Sequence, residues 1–69
     1  AEADAMRAQW EAERAALRKV QSLRQEIDQV RHDAELAERD YDLNRAAELR
    51  HGRLPELERR LDAEEQQLT

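Results

Sequence analysis

The chain has 69 residues, 42% of them Asp, Glu, Lys or Arg, with no Phe and no Cys, which is too little large apolar material for a closed globular core. Its 12 Lys plus Arg stand against 17 Asp plus Glu, a net charge of −5 with no basic block, which disfavours nucleic acid as a partner. No apolar run approaches the roughly 20 residues that span a bilayer, so a membrane is disfavoured too, and the lack of Cys fits a reducing compartment.

High charge with few aromatics is also the signature of disorder. Here, however, the residues are mostly strong helix formers and the large apolar ones recur at fixed steps, which points to an all-α chain of long helices or coiled coil. Beginning at Ala1-Glu2-Ala3 and ending in mid-pattern at Gln67-Leu68-Thr69, it is expected to be a piece of a larger protein.

In the first stretch, expected as the end of a long helix over residues 1–16, Ala3, Met6, Trp10, Glu13, Leu17 and Val20 alternate steps of three and four. Trp10, at a seam position, reads as a core or partner contact. A heptad helix follows over residues 17–41. Val20, Ile27, Ala34 and Tyr41 occupy one core position and Leu23, Val30 and Ala37 the other, the pattern of a coiled-coil seam. Joining the two stretches requires Leu17, Val20 and Leu23 at consecutive steps of three, so the seams are out of phase. A break within Arg14 to Ser22 and an unbroken helix of about 40 residues, some 60 Å long, are both compatible with that slip.

The only Gly, the only Pro and the only Tyr then gather within residues 41–55. Asp42 is suited to cap a short tip helix over residues 42–51, ending at His51-Gly52 with Gly52 in the left-handed conformation. Pro55 fits the first turn of a return helix over residues 54–68, along which Leu54, Leu57, Leu61 and Leu68 form a stripe with Glu64 in the slot between. The expected fold is an antiparallel coiled coil, a helical hairpin with a short helix at its turn. Leu43, Ala46, Ala47 and Leu49 would fold toward the seam, each large side chain buried contributing about 1.5–3 kcal/mol.

Catalytic chemistry finds no candidates. A phosphate-binding loop needs clustered glycines, and Gly52 is alone. Zinc needs several Cys or His, whereas His32 and His51 are nineteen positions apart. Asp28 with His32, Glu35 with Arg39 and Glu56 with Arg60 read as surface ion pairs one helical turn apart. The chain is therefore expected to be no enzyme by itself and to hold no metal or cofactor. Asn44, Arg45, Glu48, Arg50, His51 and Arg53 would stand on a rigid tip whose mixed charge suits protein recognition. The rival reading is a purely structural spacer or dimerisation stalk.

The run AERDYDLNRAAELRHGRLPELERRL resembles the middle domain of the ClpB family of AAA+ protein disaggregases, where Asp-Leu precedes a short helix, followed by a Tyr-Gly pair and an aliphatic-Pro-Glu-Leu-Glu run. Gln9 to Arg14, centred on Trp10, is similar to the Trp-centred stretch at the end of that family's long first helix. The resemblance implies a regulatory coiled-coil arm on a cytoplasmic, ring-shaped stress-response chaperone, with ATP bound elsewhere in the parent protein. It further implies that the tip, at the positions of Ala47, Arg50 and His51, docks on the nucleotide-binding domain of a DnaK-type chaperone, on the ATPase ring and on neighbouring middle domains. Relatives usually carry Tyr where this chain has His51, an imidazole that can still pack and hydrogen-bond.

Overall fold

The computed structural model describes residues 2–68; Ala1 and Thr69 lie outside the described residues. Helix α1 runs unbroken over Glu2–Arg39, α2 covers Leu43–Glu48, a π-helical stretch occupies Leu49–Arg53, and α3 covers Leu54–Leu68. The described residues contain no strand. They form an all-α hairpin of 59 × 15 × 13 Å, whose length is set by α1 at 1.5 Å per residue. Of the two alternatives for the out-of-phase seams, the continuous helix is the one observed.

The core follows the heptad seam. Val20, Leu23, Ile27, Ala34 and Ala37 are buried along α1. Leu57, with no exposed surface, sits against Leu23 and Ile27, and Val30, Leu54 and Leu61 close around them. Ala34 is likewise sealed, because a methyl group lets the returning chain come close. Ion pairs fasten the rims of this contact: Lys19 Nζ to Glu64 at 3.2 Å, Arg24 to Glu65 at 2.9 Å and Arg31 to Glu58 at 3.9 Å. Apart from the Glu64 carboxylate, which is mostly covered, these groups are exposed to solvent, so the pairs align the helices more than they stabilise them. Of the expected one-turn pairs Glu56–Arg60 forms at 2.7 Å, whereas Asp28 meets Arg31 at 3.9 Å in place of His32. No Glu35–Arg39 pair forms among the described residues, although both lie within α1.

The expected position of the reversal needs correcting. It is made entirely by Asp40, Tyr41 and Asp42. Asp42 N–H donates to the Ala37 carbonyl at 2.8 Å and Tyr41 N–H to the Glu38 carbonyl at 3.1 Å, the six-to-one and five-to-two pair of a Schellman ending. Tyr41 takes the left-handed position that such an ending requires, with φ of 61°. Consequently it swings out of the seam it was expected to close and is 87% exposed. Asp42 then starts α2, its carboxylate accepting from Arg45 N–H at 3.3 Å and its carbonyl from Ala46 N–H at 3.0 Å.

Gly52, expected to end the tip helix in the left-handed conformation, does not: no glycine has positive φ, and helix continues through it. The reason lies in apolar spacing. Ala46 and Leu49 face α1, and so do Leu54, Leu57 and Leu61, but Leu49 and Leu54 are five apart, one more than an α-turn allows on a single face. The π-turn absorbs the surplus residue: Leu54 N–H donates to the Leu49 carbonyl, five residues back. Its wider bore also falls just ahead of Pro55, which lacks a helical donor and needs room for its ring. Leu43 and Ala47, also expected in the core, are exposed because the face of α2 that meets α1 is that of Ala46 and Leu49.

A candidate protein-recognition tip

The Tyr41 corner and α2 together cap the closed end of the hairpin. Because Ala46 and Leu49 point inward, the opposite face of α2 carries Asn44, Ala47, Glu48 and His51, which follow at helical steps of three, one and three and are all exposed. Among the described residues none of the Asn44, Glu48 and His51 side chains makes a hydrogen bond or ion pair within the chain. Arg45 is exposed too, beside a shallow groove lined by Asp33, Leu36, Asp40 and Asp42.

Two of the seven expected tip residues behave differently. Arg50 is half-buried and donates through Nε to Glu38 of α1. That hydrogen bond holds the guanidinium above its ordinary pKa, the charges of Glu38 and Glu35 acting in the same sense and loss of hydration opposing. Arg53 spans from Glu26 on α1 to Glu56 on α3, 3.6 Å from each. Both arginines are occupied in tying the tip to the stem. Asn44, Arg45, Ala47, Glu48 and His51 remain as the surface turned to solvent.

Two residues that the periodicity assigned to the core join that surface: Tyr41 and Leu43, the latter 68% exposed. One signal was available for them. A capping Asp at position 42 requires the preceding helix to have ended before Tyr41, so the last heptad position could not be filled from a helix. The tip thus combines two large apolar side chains, an unpaired imidazole, an amide and both charge signs, a set suited to packing against a protein surface. Among the described residues no group of three or more His, Cys, Asp or Glu is arranged to hold a metal ion, and no helix is long and apolar enough to cross a membrane.

Comparison with known proteins gives consistent relatives. The chain is 50% identical over 64 residues to the chaperone protein ClpB of Leptolyngbya boryana, covering 93% of this chain and 7% of that protein. It is 52% identical over 64 residues to ClpB of Bacillus anthracis, covering 91% and 7%. It is 51% identical over 61 residues to the mitochondrial ClpB4 of Arabidopsis thaliana, covering 88% and 6%. The chain therefore spans about 7% of the length of the first curated relatives it matches. No family profile matches it, and no solved structure does. Half of its residues recur over nine-tenths of its length in these chaperones, and it folds as the helical hairpin described above: the chain is consistent with a segment of the ClpB middle coiled-coil domain.

Proposed function

We propose that this hairpin is a regulatory arm of an ATP-dependent protein disaggregase, and that its tip docks alternately on the nucleotide-binding domain of a DnaK-type chaperone and on the ATPase ring of the parent protein or a neighbouring arm. The observation that carries this reading is the division of labour within the tip. Arg50 and Arg53 are turned back onto α1, while Tyr41, Leu43, Ala47 and His51 face solvent. A surface with exposed apolar side chains that is held rigid from behind has little freedom left to lose on docking, which favours binding.

In this reading the stem is a lever and the tip its contact. Two docked states need differ by only about 1–3 kcal/mol in preference for a partner to shift the arm between them. ATP is bound and hydrolysed elsewhere in the parent protein; the segment supplies control and no chemistry. The cytoplasm is the proposed compartment, and the relative named mitochondrial marks an organelle as the other setting for such a protein.

Titration of the isotopically labelled chain with a DnaK-type nucleotide-binding domain tests the proposal. Shifts are expected at Tyr41, Leu43, Asn44, Ala47, Glu48 and His51, and a Leu43→Ser, His51→Ala double variant should weaken binding at least tenfold with helicity unchanged. Saturating binding that leaves these residues unmoved, or no binding at all, refutes it.

A further inference from the structure

Helix α2 has two apolar sides, and the side in phase with α3 is not the one packed on α1. Followed upstream from α3, Leu61, Leu57, Leu54, Arg50, Ala47 and Leu43 stand at alternating steps of four and three, the unbroken period of a single helical face. The α2 side that is buried carries Ala46 and Leu49 instead, and only the π-turn brings them onto the line of Leu54. Each side offers one leucine and one alanine, so apolar burial scarcely separates them. What separates them is Arg50, which an α-helical course would carry to the middle of the contact.

Two residues hold the observed arrangement. Arg50 pairs with Glu38 at the edge of the contact, where its charge is partly solvated and escapes the cost of full burial. Pro55 would press its ring on the carbonyl of residue 51 in an ordinary α-turn, and the wider turn relieves that clash. The surface under α2 favours neither side, because toward the corner the seam of α1 offers only Ala34 and Ala37, methyl groups that leave no deep hole for one particular knob. The cap also moves with the helix, since Asp42 accepts from the N–H groups of Arg45 and Ala46. Upstream lies the irregular corner, with Tyr41 already in the left-handed region, where a rotation can be taken up.

We propose that α2 is a two-register element. It turns about its own axis by about 100° between the observed π register, with Ala46 and Leu49 on α1, and an α register with Leu43 and Ala47 there, while Arg50 and Pro55 set the balance in favour of the first. The minor register of such a pair is populated at about 0.1–10%. Turning exchanges the leucine shown to solvent, Leu49 for Leu43, so a partner that meets α2 draws out the register it prefers. That use in docking rests on the proposed function; the rotation does not, and it is measured with no partner present.

The chain has no cysteine, so a single Ala46→Cys or Ala47→Cys reports which side of α2 is open through its rate of reaction with a thiol reagent. With no other change, Ala47→Cys should react at least tenfold faster than Ala46→Cys. Adding Arg50→Leu, which makes the stripe in phase with α3 apolar throughout and removes the Glu38 pairing, should reverse that order with helicity unchanged. Pro55→Ala, which leaves α2 untouched, should raise the Ala46→Cys rate at least threefold. Deleting Gly52 sets Leu49 and Leu54 four apart, so that Ala46 and Leu49 are in phase with α3, and Arg50→Leu in that background should leave Ala46→Cys protected. An unreversed order in the helical Arg50→Leu chain, both thiols gaining reactivity together, or an Ala46→Cys rate unmoved by Pro55→Ala overturns the proposal.

Discussion

Two stretches of this hairpin solve opposite problems with the less expected residue. At Asp40–Asp42 the chain must stop one helix and start another, and it does so with a tyrosine in the left-handed conformation. At Leu49–Arg53 the chain must keep going, and it does so through its only glycine. The difference teaches that a helix ends where its last carbonyls find donors in the next few residues and the following segment finds a cap. Glu38 and Ala37 are satisfied by Tyr41 and Asp42, and Asp42 caps α2. Nothing comparable surrounds Gly52, and a Cβ built on it meets nothing within 4 Å, so neither backbone conformation nor packing requires glycine there.

Substitutions can break or sharpen that contrast. The largest effect is expected from Leu49→Ala, which removes a buried side chain and with it the packing that holds the π-turn open; unfolding monitored by circular dichroism should show a loss of about 2–5 kcal/mol. Asp42→Ala removes the α2 cap and should cost about 1 kcal/mol, with amide exchange accelerating at Arg45 and Ala46 before the stem is affected. Tyr41→Gly relieves the left-handed strain and should stabilise the corner by about 1 kcal/mol, while stripping the tip of its one aromatic, so that under the proposed function stability should rise as binding to a DnaK-type nucleotide-binding domain falls. Gly52→Ala should be the mildest, a gain of about 0.5 kcal/mol in the same denaturation experiment. A loss there would show that the π-stretch depends on glycine after all.

Much of the stem was legible because a heptad seam is a long-range pattern: Val20, Leu23, Ile27, Ala34 and Ala37 are spaced for one face, and they are buried on one face. The Asp42 cap was legible for the same kind of reason, a residue type with one strong local role. The π-turn was not. It follows from the five-residue gap between Leu49 and Leu54, visible in the sequence but without meaning until both leucines are known to meet the same neighbour. At the tip, charge and position marked Asn44, Arg45, Ala47, Glu48 and His51, which face solvent, but could not separate them from Arg50 and Arg53. Which arginine turns inward depends on Glu38 and Glu26, twelve and twenty-seven positions upstream, across a corner whose location must first be known.

The surplus residue inside Leu49–Arg53 has a further consequence. Were an ordinary α-helix to run through the same number of residues between Leu49 and Leu54, everything upstream would swing by about 100°. Leu43 and Ala47 would turn toward α1 as Ala46 and Leu49 left it, and a different set of side chains would greet an incoming protein. The wider turn across this stretch thus sets which way the knob looks, and a single-codon deletion of Gly52 would bring Leu49 and Leu54 to the four-residue spacing at which an ordinary α-helix keeps that outlook without a π-turn.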